Sequence, residues 1–203
     1  MISRGWILCC FCVLLAGCEP EIGRIVWLIG DSIAVSELEA LHRAQSIKDN
    51  ADLTIPLASV GGSALGRDQA YFIGRIQSAR QRGLPADAAV VSFGTNDCGT
   101  LEAFSYVDAP EKLGATIDAF LGSLPEVPVI WLLPASPASP AECRAYIVAG
   151  LEAARERWPK LELLAPDPIW YADGDQVHYS EAGEELAAQA IVARLDALEE
   201  EKP

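Results

Sequence analysis

The sequence predicts an α/β domain of three layers, with about five parallel strands sandwiched between helices. Three observations carry this expectation. The apolar runs Ile25–Ile29, Ala88–Phe93 and Val127–Leu133 are continuous rather than alternating, as in strands covered on both faces. Segments with apolar residues three and four apart separate such runs, so strands and helices alternate along the chain. Gly30 and Gly94 stop two of the runs where the backbone must turn out of a sheet.

The elements follow in order. Ile25-Val26-Trp27-Leu28-Ile29 is the first strand, and residues 33–48 carry helical spacing through Leu38, Leu41 and Ile47. Leu53 to Val60 is the second strand. Pro56 within it removes a ladder donor and implies an edge position or a bend. Gly61-Gly62 ends it. Residues 66–82 read as a helix through Tyr71, Ile73, Ile76 and Ala79, closed by Gly83. Ala88–Phe93 is the third strand. Residues 110–124 form a helix opened by Pro110, whose missing N–H is harmless there, and continue through Leu113, Ile117 and Phe120. Val127–Leu133 is the fourth strand. A proline-rich loop from Pro134 to Pro140, a helix to about Arg157 and a short strand at Leu161–Leu164 come next. The last helix runs from Ser180 to about Leu198, with Ser180 as N-cap and Glu181 and Glu184 suiting the helix dipole.

A chain of 203 residues suffices for one domain with a full core. With 51% hydrophobic and 22% charged residues it is globular in composition rather than disordered. A net charge of −14 argues against nucleic acid as a partner and against attachment to anionic lipid through basic residues. Two histidines in the whole chain narrow the metal and acid–base chemistry. No cofactor and no metal site is implied, and a monomer is expected.

The N-terminus reads as an address. Arg4 precedes the apolar run Trp6–Leu15, which is too short for a bilayer core that needs about 20 apolar residues. It suits the centre of a secretory signal peptide. Leu15-Ala16-Gly17-Cys18 resembles the lipobox of bacterial lipoproteins, in which the peptide before the cysteine is removed and the cysteine is acylated. The expected organisation is a signal peptide over 1–17, a tether over 18–24 with lipid on Cys18, and one domain over 25–200. An ordinary signal peptide with an incidental cysteine is the alternative. Glu19 is not the Asp that tends to mark inner-membrane retention in such lipoproteins, so the resemblance leans towards the outer membrane, facing the periplasm.

Cysteine usage agrees with export. Cys9, Cys10 and Cys12 leave with the signal, so Cys98 and Cys143 remain in the domain. In an oxidising compartment they can pair, or they can stay as two buried thiols.

Parallel sheets bind ligands at the carboxyl ends of their strands, so the loops there are the places to look for chemistry. Gly30-Asp31-Ser32 puts a hydroxyl at the end of a buried strand, where a helix begins and its positive end favours a nucleophile. Ser59-Val60-Gly61-Gly62-Ser63 lets backbone N–H groups approach a bound oxygen, or is simply a tight turn. Gly94-Thr95-Asn96-Asp97 offers a side-chain amide to a developing negative charge, or an Asx turn. Asp175-Gln176-Val177-His178 places a carboxylate three residues before an imidazole, which it can orient and stabilise when protonated. The other histidine, His42, sits inside the first predicted helix beside Arg43.

In this order the four blocks resemble those of the GDSL esterases, or SGNH hydrolases, from about Ile25 to Leu198. The resemblance implies a flavodoxin-like three-layer fold. It also implies carboxylic ester hydrolysis with Ser32 as nucleophile, His178 as general base and Asp175 as its partner. The Ser32 N–H, the Gly62 N–H and the Asn96 side chain would form the oxyanion hole. Gly62 is preferred to Gly61 by its spacing from Ser59-Val60. Ile33 stands where the family name implies Leu. Gln176 fills a slot often held by Gly, and Asp173 is the rival carboxylate. Cys98 follows Asp97, so a Cys98–Cys143 disulfide would brace the Asn96 loop if the third and fourth strands are neighbours.

Two other readings stand beside ester hydrolysis: an O-acyltransferase using the same residues, and a catalytically inactive surface lipoprotein that binds a glycan or protein. Small acyl esters, lysophospholipids and sugar O-acetyl esters are all compatible with a short chain that shows no lid. Trp170 and Tyr171 either line a pocket or pack in the core.

Overall fold

In the computed structural model, residues 23–34, 40, 53–99, 110–171 and 175–200 are described. Five strands, β1 (Ile25–Gly30), β2 (Leu53–Ser59), β3 (Ala88–Ser92), β4 (Val129–Leu132) and β5 (Leu161–Leu164), form one parallel sheet in the order β2-β1-β3-β4-β5. The helices are α1 (Leu65–Gln81), α2 (Thr95–Gly99), α3 (Pro110–Ser123), α4 (Ala141–Arg155) and α5 (Glu181–Glu200), with a 3-10 turn at Pro168–Tyr171. This is the three-layer parallel architecture that the alternation of runs predicts.

Side chains of a strand alternate between faces, and the core divides accordingly. Trp27, Ile29, Ala89, Val91, Val129 and Trp131 point into a cluster with Phe72 and Ile76 of α1, Ile117 and Phe120 of α3, and Ile147 and Leu151 of α4. Val26, Leu28, Ala88, Val90, Ile130 and Leu132 point the other way, onto Ala188, Ile191, Val192 and Leu195 of α5. On the first face Phe72, Phe93, Phe120 and Trp131 meet edge to face, with ring centroids 4.6–5.6 Å apart between successive partners. Removing any one of these rings would cost about 3–5 kcal/mol.

Pro56 lies, as its missing donor requires, on the edge strand. The pairing slips one residue after it: Leu28 faces Pro56 while Ile29 faces Ala58. The fourth strand is shorter than the apolar run, because Pro128 has no N–H and the Val127 N–H turns back to the Pro125 carbonyl at 2.8 Å. Thr95–Gly99, which reads as a loop in sequence, is a short helix, and Pro168–Tyr171 is a turn of 3-10 helix. Arg24, assigned to the tether, is 8% exposed and paired with Asp196 of α5 at 2.7 Å. Of the helix expected over 33–48, Ile33, Ala34 and Ala40 fall among the described residues and are helical. The signal peptide, Cys18, His42 and Asp173 lie outside them. Among the described residues no helix is long and apolar enough to cross a membrane.

Candidate active site

The strand order reverses between β1 and β3, which opens a crevice at their carboxyl ends. Ser32 enters it just beyond β1. Gly30 makes that possible: a β-carbon there would collide with the Ser92 carbonyl of β3. The Asp31 N–H instead donates to that carbonyl at 3.0 Å. The Asp31 carboxylate accepts the Ile33 N–H at 3.0 Å and so caps the helical turn that opens at Ser32. Asp31 is fully buried, and its second oxygen has no hydrogen-bond partner among the described residues. Burial pushes its pKa up to about 7, against the opposing Ile33 N–H.

His178 arrives from the far end of the chain. Ser180 Oγ accepts the Gly183 N–H at 3.1 Å and fixes the start of α5. Just before it, Asp175 Oδ1 accepts the backbone N–H groups of Val177 (2.9 Å) and His178 (2.7 Å), which folds the segment back on itself. Asp175 Oδ2 then lies 2.8 Å from His178 Nδ1, and His178 Nε2 lies 2.8 Å from Ser32 Oγ. A carboxylate at Nδ1 selects the tautomer with its proton there, which leaves Nε2 to accept from the serine hydroxyl. The His178 backbone N–H, the imidazole and the Val177 N–H hold the Asp175 carboxyl well below the usual carboxylate range, so it is anionic at neutral pH.

The loop also depends on Gln176, which adopts a φ of 66°. Its carbonyl accepts Ser136 Oγ at 2.7 Å and the Ala138 N–H at 3.3 Å, and the Arg144 guanidinium clamps the carbonyls of Ser136 and Ser139. Trp170 and Tyr171, offered as pocket or packing, are packed: they cluster with Ile33, Tyr179 and Ala187 behind the serine.

On the other side of Ser32, residues 60–63 make a turn closed by the Ser63 N–H to the Val60 carbonyl at 3.3 Å, with Gly62 at φ 72°. A positive φ at the third position alone is the type II signature. The Gly61 α-carbon faces Ser32: a β-carbon there would lie 4.0 Å from that of Ser32, whereas one on Gly62 would meet nothing within 4 Å. Asn96, in the first turn of α2, donates from Nδ2 to the Ser63 carbonyl at 3.1 Å. Asp97 beside it accepts the Leu65 and Gly66 N–H groups at 3.0 and 2.8 Å, and so caps α1 from another loop. Burial raises the Asp97 pKa. Cys98 is disulfide-bonded to Cys143 of α4, their α-carbons 5.8 Å apart.

Ser32, His178 and Asp175 therefore meet in one hydrogen-bonded chain, with the glycine turn beside Ser32 and Asn96 bonded to the end of that turn. Sequence reasoning missed Asp97 and Ser136, whose partners lie in remote elements that spacing does not reveal, and Arg144, whose carbonyl partners lie in the loop just before α4. It also missed Arg67, which donates to the Gly62 carbonyl at 2.9 Å and pairs with Asp68 at 2.8 Å. Among the described residues no group of three or more His, Cys, Asp or Glu is placed to hold a metal.

No protein-family model and no curated protein sequence matches the chain. Solved structures do. Est24, a carbohydrate acetylesterase from Sinorhizobium meliloti, superposes with a TM-score of 0.65 at 16% identity over 86% of this chain and 99% of its own. The C-terminal catalytic domain of the peptidoglycan O-acetyltransferase A of Streptococcus pneumoniae gives 0.61 at 19% identity, over 88% and 96%. A family 3 carbohydrate esterase of Clostridium thermocellum gives 0.64 at 17% identity, over 87% and 98%. At these identities the likeness is one of fold, a five-stranded parallel sheet packed between helices.

Proposed function

We propose that the protein is a serine hydrolase that cleaves carboxylic esters by two-step acyl transfer. The observation that carries this reading is the continuous contact from Asp175 through His178 to Ser32, with both side-chain steps at 2.8 Å. Ser32 Oγ attacks the ester carbonyl while His178 Nε2 takes its proton, and the anionic Asp175 stabilises the imidazolium. The carbonyl oxygen becomes an oxyanion beside the Ser32 and Gly62 N–H groups and the Asn96 amide, which carries a second N–H besides the one given to Ser63. His178 returns the proton to the departing alcohol. Water, deprotonated by His178, then attacks the acyl-serine; the intermediate collapses to release the carboxylic acid, and His178 returns the proton to Ser32 Oγ.

The substrates we propose are small-molecule and glycan esters, the latter on the strength of the like-folded carbohydrate acetylesterase and carbohydrate esterase. No partner that is a nucleic acid is expected of an acidic chain. O-acyl transfer to a sugar is the second reading, favoured by the likeness to the acetyltransferase domain. The half-exposed His178 is open to an alcohol as well as to water. Product analysis with a sugar acceptor separates the two.

A fluorophosphonate probe should label Ser32 in the wild-type protein and not in Ser32→Ala. In Ser32→Ala and in His178→Ala, p-nitrophenyl acetate turnover should fall by at least about 10³-fold. Retained turnover in both variants would overturn the assignment.

We also propose export and a lipid anchor on Cys18, on the strength of Leu15-Ala16-Gly17-Cys18 after the apolar run, and of a disulfide suited to an oxidising compartment. Several acyl chains on one residue would hold where a single chain is marginal. Cys18→Ser should move the protein from the membrane fraction to the soluble one.

A further inference from the structure

A groove of about 470 Å³ leaves the candidate site along the start of α1, lined by Val60, Gly61, Ser63, Arg67, Asp68 and Tyr71. It shares Gly61 with the reacting serine, whose β-carbon is the nearest neighbour of the space above that glycine. Its polar and apolar parts are sorted. Arg67 and Tyr71 stand four apart on α1 and so share one side of the helix. Arg67 is held by Asp68 and by the Gly62 carbonyl, which orients its fork over the glycine turn. Tyr71 is 50% exposed and Val60 40%, both large for side chains that border a site. The Tyr71 ring is steadied edge-on against Phe72, centroids 5.3 Å apart, and presents a flat apolar surface rimmed by a paired guanidinium and carboxylate. A pyranose has the same division: an apolar face of C–H groups and a rim of hydroxyls that both give and accept hydrogen bonds.

We infer that this groove seats a sugar ring of the glycan that bears the ester, with Tyr71 as its platform and the Arg67–Asp68 pair at its hydroxyl rim. The inference rests on the esterase reading for its place in a reaction, and on the groove alone for binding. Binding held at a distance from the reacting bond can be used to position that bond.

The test pairs turnover with binding. For acetylated xylohexaose against p-nitrophenyl acetate, the ratio of kcat/KM should fall about tenfold in Tyr71→Ala, the loss expected of one aromatic contact, and be largely kept in Tyr71→Phe. By calorimetry, Ser32→Ala should bind acetylated xylohexaose, and Ser32→Ala/Tyr71→Ala should bind it about tenfold more weakly. Wild-type turnover of p-nitrophenyl acetate reports separately on the esterase reading, and the calorimetric arm stands without it. An unchanged ratio with unchanged binding overturns the inference. So does an altered preference among p-nitrophenyl esters of longer acyl chain with no effect on the oligosaccharide, which would make the groove an acyl site.

Discussion

Ser136 Oγ donates to the carbonyl of Gln176 at 2.7 Å, and Gln176 is the residue that holds a left-handed backbone, φ 66°, between Asp175 and His178. A buried serine of one loop thus fixes the peptide that separates the acid from the imidazole it orients. Most residues adopt this conformation only at a cost of roughly 1–2 kcal/mol, which the Ser136 and Ala138 hydrogen bonds offset.

Gln176→Gly should therefore keep the loop and relieve its strain. Part of that gain is lost to the greater freedom of glycine in the unfolded chain, so a net stabilisation of about 0.5 kcal/mol is expected. Urea unfolding measures it. A destabilised variant would mean that the glutamine side chain, not the backbone, holds the loop.

Asp31 makes stability depend on pH in an unusual direction. Its carboxyl is raised in the folded protein from 3.8 to about 7 by burial, so the folded state keeps a proton that the unfolded chain has lost. Stability contributed by this group is full below about pH 4 and declines as pH rises to 7, by up to about 4 kcal/mol. The carboxyls of Asp68, Asp118 and Asp175, which are lowered, act in the opposite sense and only as pH falls through the usual carboxylate range. Asp31→Asn should shrink the decline between pH 4 and 7, leaving the part contributed by Asp97, whose carboxyl burial also raises. Parallel curves for the two proteins would show that the carboxyl is ionised in the fold.

The disulfide joins α2, which carries Asn96, to the first turn of α4. Closing a loop of 45 residues stabilises by about 4 kcal/mol in the chain-entropy model. Cys98→Ser/Cys143→Ser should lose about 2–4 kcal/mol and lower kcat more than it raises KM, because the Asn96 amide is the group set loose. Loss of stability with kcat intact would confine the bridge to a structural role.

What sequence made legible has a physical pattern. Strands β1 and β3 announce themselves because burial on both faces demands unbroken apolar runs, and Pro56 marks the edge because it lacks a donor. Ser32, Asp175 and His178 are readable because the loops that present them are short and local, and Asp175 caps its own loop. The helix at Thr95–Gly99 is not readable: Thr-Asn-Asp-Cys-Gly has the composition of a turn, and the disulfide and the Asp97 bonds that pin it are tertiary. Ser136 under Gln176 is likewise a contact between loops, and Arg67 reaches back from α1 to the Gly62 carbonyl; periodicity encodes neither.

Asp97 is the clearest of these hidden groups and gives the last prediction. Its two oxygens take the Leu65 and Gly66 N–H groups, so the start of α1, and with it the glycine turn, is tied to the residue next to Asn96. Asn96 in turn donates to Ser63. In Asp97→Asn one of the two acceptors becomes an NH₂ that faces a backbone N–H, which leaves two buried donors opposed and costs about 1–3 kcal/mol. The turn then shifts relative to Ser32, while the Asp175–His178 pair, built in another loop, is untouched. Turnover of p-nitrophenyl acetate should fall by about 10-fold or more, short of the 10²–10³ expected for outright removal of an oxyanion donor in Asn96→Ala. Labelling of Ser32 by a fluorophosphonate should persist, more slowly. If Asp97→Asn unfolds with the wild-type midpoint and turns over at the wild-type rate, Asp97 does not couple the two loops.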